Sequence, residues 1–301
     1  MKKLALFGVL VVMLMTSCSS LKIVDQNAAV NAGAAAVQAL TISDTQIAQL
    51  CSEYMVETDG QNTILPADNS YMQRLDGIMA RFHNISDMSI NYKVYQSSTV
   101  NAFASGDGSV RVYSGLMDVM DDDELFAVIG HELGHLKNKD VRDAYRTAYL
   151  IVAARYGIAA YSQTAGAISQ GFLGDLGQQL ASNAYSRKQE YEADEASFQY
   201  CITNGVDAFA MYKALNVLIG LNGNSGTQSS VAQMFSTHPD SGKRATRIKE
   251  MAEAAGYRMD NTGTSGSKPK SVKPNQNNTN SGNTNSGNTN SGGKTIKVKK
   301  N

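Results

Sequence analysis

One short segment, His131-Glu132-Leu133-Gly134-His135, constrains the fold of this chain more than any other. Residues four apart lie on one face of an α-helix, so the two imidazoles can reach the same metal ion. The segment lies among apolar residues, which predict a helix packed on the core, and acids precede it where the helix dipole favours anions. These flanking residues are Leu125, Phe126, Val128, Ile129 and Leu136, with Asp121, Asp122 and Asp123 at the start. The sequence therefore predicts a buried helix that presents two histidines on one face.

The same spacing is typical of zinc sites in metallopeptidases. Two such imidazoles can share a zinc ion at about 2.0–2.1 Å, and Glu132 can reach the water on that metal and act as its general base. A catalytic zinc needs a third protein ligand and an open position. Downstream, Glu190 and Asp194 stand four apart on another predicted helix. One carboxylate can bind the metal, and the other can hold a ligand histidine through its distal N–H.

The hydrophobic pattern predicts an α+β fold, mostly helical, with a small antiparallel sheet beside the active-site helix. Helical stretches are predicted at 25–58, with a capping box at Ser43–Gln46, at 68–82, and from Gly115 almost to Gly256. Between them the period changes to two, with a turn at 106–108. The alternating apolar residues are Ile90, Tyr92, Val94, Val100, Ala102, Ala104, Val110 and Val112.

Two glycines and two cysteines bear on how these elements pack. Gly130 and Gly134 each cost about 1 kcal/mol inside a helix, so they predict the close approach of another backbone or of a substrate. Cys51 and Cys201 can form a disulfide in an exported protein or remain buried thiols, and their spacing in sequence does not decide between the two.

Residues 1–17 have the pattern of a bacterial export signal. Lys2 and Lys3 precede an apolar run, Leu4 to Met15, that is too short to span a bilayer. Small residues then lead to Cys18, as in a lipobox, which predicts lipidation at Cys18; the alternative is an ordinary signal peptide with an incidental cysteine. Ser19 follows the cysteine, and this resembles enterobacterial lipoproteins of the outer membrane.

No later segment is predicted to cross a membrane, because Arg146 and Arg155 interrupt the best candidate, 144–161. The equal numbers of basic and acidic side chains, 27 of each, argue against a nucleic-acid partner. The charge is uneven, since residues 1–260 carry 20 bases and 27 acids. Residues 259–301 are rich in Asn, Ser, Gly and Thr and are predicted to be disordered, with a basic end that either aids solubility or docks.

Taken together, four segments resemble the metallopeptidase family of the CAAX prenyl endopeptidase and the heat-shock protease HtpX. The likeness is greatest to its exported lipoprotein branch, which includes the periplasmic β-barrel-assembly-enhancing protease, and it covers about residues 42–256. The segments are Asn101 to Ala104, Asp123 to His135, Ser186 to Asp194, and Ser236 to Pro239 with Arg244. The resemblance implies a zincin-type metallopeptidase domain within residues 18–258.

The resemblance also implies a role for each matching residue. It implies one zinc ion per chain on His131, His135 and Glu190, with Glu132 as base and Asp194 orienting a ligand histidine. His238 would either bind the oxyanion or cap the zinc in a resting state, and Arg244 would anchor its loop. Asn101, Ala102, Phe103 and Ala104 would bind an extended peptide as an added strand.

The expected function is therefore a zinc endopeptidase of the bacterial cell envelope, acting on unfolded or misassembled proteins. It would be held by a lipid at Cys18, on the outer membrane and facing the periplasm. The alternative is an envelope chaperone or assembly factor that uses the same groove with little proteolysis. The family's transmembrane helices have no counterpart here, so a membrane-embedded chamber is not implied.

Overall fold

The computed structural model of the chain describes residues 43–83, 85, 89–159, 175, 179–180, 184–259 and 265–266. The predicted export signal, Cys18 and nearly all of the predicted tail lie outside these residues. Within them, the chain is mainly helical with a small sheet, which confirms the predicted fold class.

The elements follow one another with short connections in most places. Helices and strands are α1 (Asp44–Gln61), α2 (Ser70–Met79), β1 (Asn91–Tyr95), β2 (Ala102–Ala104), β3 (Ser109–Tyr113), α3 (Ser114–Val119), α4 (Asp122–Lys137), α5 (Asp140–Ala159), α6 (Arg187–Thr203), α7 (Ala210–Asn222), α8 (Gln228–Thr237), α9 (Ser241–Ala254), β4 (Arg258–Met259) and β5 (Ser265–Gly266).

The three-stranded sheet is mixed, and the prediction of an antiparallel sheet was wrong in this respect. Its order is β1-β3-β2, with β2 and β3 antiparallel but β1 and β3 parallel. The alternating pattern itself was correct, because all eight of its apolar residues are buried. Alternation fixes which face a side chain takes but not the direction of the neighbouring strand. Because β2 is last in the strand order, it is an edge strand of the described sheet.

The turn between β2 and β3 forms where the glycines predicted it. Ser105 N donates to Ser109 O at 2.8 Å, and Gly108 adopts a φ of +89°. A side chain there would meet Ser89 O at 2.4 Å, so this position requires glycine on both conformational and steric grounds. The turn fixes the register that places Ala102 opposite Val112.

Helices α4 and α6 pack against each other closely enough for backbone contact. A Cβ at Gly134 would lie 3.0 Å from the Cα of Ala193, and one at Gly130 would lie 3.5 Å from the Cα of Ser197. Capping boxes at Asp121–Glu124 and Ser186–Gln189 fix where these two helices begin. The close approach predicted from the two glycines is thus the packing of α4 on α6.

A buried ion-pair cluster joins α1 to the sheet. Arg111 of β3 is 1% exposed and binds both carboxylate oxygens of Asp59, at 2.8 and 3.0 Å. Lys93 and Tyr95 of β1 donate to the same carboxylate at 2.8 and 2.5 Å. Burial alone would raise the pKa of Asp59, but these donors outweigh it and lower the pKa to about 2. The cluster ties the end of α1 to strands β1 and β3 of the sheet.

Cys51 and Cys201 are both free and buried, so the structure contains no disulfide between them. Burial raises the pKa of the Cys51 thiol to about 11, which makes it unreactive. In the described part of the chain, no helix has both the length and the apolar character needed to cross a bilayer. Met259 of β4 and the whole of β5 fall within the predicted tail, and these two short strands pair antiparallel.

Candidate metal centre

Three segments that are distant in sequence meet in one buried cluster. Helix α4 supplies His131, Glu132 and His135, α6 supplies Glu190 and Asp194, and the connection between α8 and α9 supplies His238. Each of these side chains is at most 5% exposed. The helix predicted around the motif and the helix predicted downstream therefore face each other across their inner surfaces.

Four of these residues present ligand atoms to a common point. His131, His135, Glu190 and His238 each offer one nitrogen or oxygen, and these atoms all lie within 4.8 Å of one another. The Nε2 atoms of His131 and His135 are 3.1 Å apart. Nδ1 of His238 lies 3.3 Å from His131 Nε2 and 3.0 Å from Glu190 Oε1. The cluster thus contains the three ligands implied by the resemblance and adds His238 as a fourth.

The spacing and chemistry of these atoms fit a tetrahedral zinc ion. Bonds of about 2.0–2.1 Å in tetrahedral geometry place ligand atoms roughly 3.3–3.4 Å from one another. The carboxylate of Glu190 lies 3.5 Å from His131 Nε2 and 3.4 Å from His135 Nε2, close to that spacing. Imidazole and carboxylate are also the donors that zinc accepts in proteins.

Each histidine of the HExxH motif has a carboxylate at its other ring nitrogen. Asp194 Oδ1 lies 3.0 Å from His131 Nδ1, as expected for a residue that orients a ligand histidine. Asp140 Oδ2 lies 3.0 Å from His135 Nδ1. The sequence analysis missed Asp140, although its position five residues after His135, at the start of the next helix, was the available signal.

The resemblance implied that Arg244 anchors the His238 loop, but among the described residues its guanidinium bonds to α6 and α4. Nε and Nη2 bind Asp194 at 2.9 and 2.6 Å, and Nη1 contacts Glu190. Two buried carboxylates side by side need a countercharge, because burying unpaired charge costs several kcal/mol per ion, on the order of 3–5 when one partner is missing. Arg244 supplies that charge from α9.

The surrounding charges set the protonation of the cluster. Burial would raise the pKa of Glu190 and Asp194, but histidines at Glu190 and Arg244 at Asp194 hold both below their ordinary values. Burial and Arg244 lower the pKa of His131, yet the two carboxylates raise it to about 9. Burial lowers the pKa of His238. Because a metal binds only a deprotonated ring nitrogen, zinc uptake by this cluster is expected to release protons.

Glu132 stands beside the ligand cluster with an unused oxygen. Its Oε1 atom is buried and has no hydrogen-bond partner among the described residues, and Nε2 of His238 is 3.5 Å away. A buried carboxylate oxygen without a donor is costly, so it marks a place where a proton-bearing group belongs. This is the position that a general base next to a metal requires.

A cavity of about 150 Å³ opens next to Glu132 and His238. The predicted peptide-binding segment, Asn101 to Ala104, forms one wall, with β2 pairing on one side only within the described sheet. Aromatic rings line much of the rest, namely Tyr54, Phe103, Tyr113, Tyr145 and Tyr185. The cavity therefore combines the unpaired edge of β2 with apolar walls, and both lie beside the carboxylate of Glu132.

Tyr185 is a second residue that the sequence analysis missed. Its ring stacks on His135 with centroids 3.9 Å apart and planes at 14°. Its position just before Ser186, the N-cap of α6, was visible in the sequence. The local sequence does not predict that its ring contacts a histidine 50 residues earlier.

Comparison with known proteins gives consistent results. Residues 66–252 match the model of peptidase family M48. The metalloprotease LoiP of Escherichia coli K12 is 38% identical over 245 residues, which are 81% of this chain and 94% of that protein. The metalloprotease YcaL of the same organism is 38% identical over 79% of this chain and 92% of its own length. A protease HtpX homologue of Salinibacter ruber is 30% identical over 52% of this chain and 65% of its own.

Proposed function

Because this chain belongs to peptidase family M48, we propose that it is a zinc-dependent endopeptidase that hydrolyses unfolded or misassembled proteins of the bacterial cell envelope. Membership makes it a metallopeptidase and confirms the resemblance drawn from its four motifs. The observation that carries the proposal is the buried cluster of four ligand atoms beside the unpaired oxygen of Glu132.

The side chains divide the chemistry among them. His131, His135 and Glu190 would hold the zinc ion, which when bound supplies a Lewis acid for the scissile carbonyl and lowers the pKa of water. Glu132 accepts a proton at its free carboxylate oxygen and later returns it to the leaving amine. Asp194 fixes the ring of His131 through Nδ1, while Arg244 keeps Asp194 ionised and holds the carboxylates of Asp194 and Glu190 in place.

The form of the cleft supports an extended peptide as substrate. An unpaired edge strand binds a peptide through main-chain hydrogen bonds, which are the same for every sequence. Folded proteins rarely offer such a segment, whereas unfolded and misassembled ones do. We therefore expect broad sequence tolerance together with a requirement for extended chain, and this favours a role in protein quality control.

The alternative is a chaperone or assembly factor that binds unfolded protein in the same groove. Binding without hydrolysis does not require the carboxylate of Glu132. Hydrolysis of unfolded casein by the zinc-loaded protein, compared with Glu132→Gln, decides between the two. Zinc is measured on both proteins, so that loss of metal and loss of the base are told apart.

His238→Ala is expected to raise casein turnover several-fold, or to cause self-cleavage, with zinc retained. Nδ1 of His238 lies at ligand spacing from His131 and Glu190, where it closes the position that a catalytic zinc leaves open. Turnover and zinc content are measured together. If His238 instead binds the oxyanion, turnover should fall by about 10²–10³-fold with zinc retained; unchanged turnover would contradict both roles.

Lipid attachment is expected to place the protein on a membrane, and the lipobox pattern ending at Cys18 supports this. Cys18→Ala should move the protein from the membrane fraction to the soluble fraction, because the acyl chains provide the anchor. Fractionation and the mass of the mature N-terminus measure it, with Cys51→Ala as the control that keeps the anchor. An unchanged distribution with no acyl mass would leave an ordinary signal peptide as the explanation. Separation of inner and outer membranes tests the expected outer-membrane location.

A further inference from the structure

The start of α6 contacts His135 from three directions. Glu190 lies 3.4 Å from its Nε2 atom, and Tyr185 stacks on its ring face. The third contact is indirect: Asp140 binds Nδ1 of His135, and Gln189 in turn binds Asp140. Residues 185–190 therefore reach His135 directly at Nε2 and at the ring face, and they reach Nδ1 through Asp140.

Gln189 uses both ends of its side-chain amide. The amide oxygen accepts from the backbone N–H of Ser186 at 3.0 Å and completes the capping box of α6. The amide nitrogen donates to Asp140 Oδ1 at 3.1 Å. A capping box needs only an acceptor at this position, and Glu serves there as well as Gln. The capping box therefore does not need the amide nitrogen of Gln189, and this nitrogen donates to Asp140 instead.

Asp140 has both carboxylate oxygens engaged as a result. Oδ1 receives the Gln189 amide, Oδ2 faces His135 Nδ1 at 3.0 Å, and the residue is 5% exposed. At this distance a proton on His135 Nδ1 can be donated to Asp140, since a carboxylate oxygen accepts. That tautomer leaves the lone pair on Nε2, the nitrogen that faces Glu190 and His131, as a metal ligand requires.

We propose that Gln189 is a positioning residue for the metal centre: through Asp140 it fixes the tautomer and orientation of His135. The chain Ser186–Gln189–Asp140–His135 joins the cap of α6 to the second histidine of α4, so the helix that delivers Glu190 also sets the partner ligand. The expected effect on zinc affinity rests on the proposed zinc site, whereas the contacts among Gln189, Asp140 and His135 are independent of it.

Two variants separate this role from simple helix capping. Gln189→Met keeps the length of the side chain and loses both ends of the amide, whereas Gln46→Met makes the same change in the capping box of α1, where the glutamine bonds Ser43. We expect Gln189→Met to weaken zinc binding by about 10–100-fold, the usual effect of losing such a partner, and Gln46→Met to leave zinc affinity at the wild-type level. Zinc dissociation constants are measured by chelator competition on the full chain. Equal zinc affinity in the two variants would overturn the proposal.

A double-mutant cycle tests whether Gln189 acts through Asp140. Gln189→Met should have no further effect on zinc affinity in an Asp140→Ala background, because the link is already broken. Full additivity of the two changes would overturn the proposal. If Gln189→Met folds poorly, Gln189→Glu at pH 8 replaces it, since it completes the capping box but cannot donate to Asp140 when ionised.

A measurement without metal keeps this inference distinct from the proposed zinc function. In zinc-free wild-type protein, ¹⁵N NMR of the imidazoles should show His135 protonated on Nδ1, and Gln189→Met should give a mixture of tautomers. The same tautomer in both proteins would overturn the inference. Failure of the wild-type protein to bind zinc would instead refute the proposed function. The NMR comparison of the two zinc-free proteins would still test the role of Gln189.

Discussion

Glu132→Gln is expected to lower the turnover of unfolded casein by about 10²–10⁴-fold, the usual contribution of a positioned general base. The substitution keeps the size and one oxygen of the side chain but removes its ability to accept a proton as a base. Zinc content should stay at the wild-type level, because Glu132 is not one of the four residues whose ligand atoms meet. Initial rates and metal analysis on the same preparation give the result.

Glu192→Gln is the matched control, since Glu192 is an exposed carboxylate two residues after Glu190 on α6. Within the described residues its ion pair is with Lys188, at 3.4 Å. It should behave as wild type. If Glu132→Gln retained full turnover, the assignment of the base would be wrong. If wild type and Glu132→Gln both suppressed aggregation of unfolded protein without hydrolysing it, the chaperone alternative would be supported.

His135→Ala is expected to lose zinc and, with it, peptidase activity. Binding free energies for zinc in zinc-finger peptides are about 10–16 kcal/mol, so one of the three protein ligands contributes roughly 3–5 kcal/mol, or about 10²–10⁴-fold in affinity. The variant also leaves the buried carboxylate of Asp140 without its histidine, which adds to the cost. Metal analysis after dialysis against a weak chelator measures the effect.

His83→Ala serves as the control, because His83 is the exposed histidine outside the cluster. It should retain one zinc ion per chain. Stoichiometric zinc in purified His135→Ala protein would contradict the ligand assignment, whatever its activity.

Local spacing in the sequence was enough to find the residues that meet at the centre. His131 and His135 share a helix face, and Glu190 and Asp194 share another, because a turn of helix fixes those relations without knowledge of the fold. The structure brings all four together, with His238 beside them. These are the residues whose position depends on one helix at a time.

The missed features depend instead on how two elements meet. Asp140 reaches His135 because α5 begins beside the end of α4, and Tyr185 reaches it because α6 begins there too. The parallel pairing of β1 with β3 likewise depends on the path of the connection between strands. The same limit applies to Arg244 of α9, whose side-chain partners lie on α6 and α4. Periodicity carries no information on such relations.

The position of Arg244 makes the metal centre depend on helix α9. Its guanidinium lies 3.3 Å from Nδ1 of His131, a residue 113 positions earlier in the chain. Without α9, Glu190 and Asp194 would lose the arginine that binds both of them, and burying these carboxylates between α4 and α6 would cost several kcal/mol. A chain cut before α9 is therefore expected to lack peptidase activity, although His131, Glu132, His135 and Glu190 are all still present.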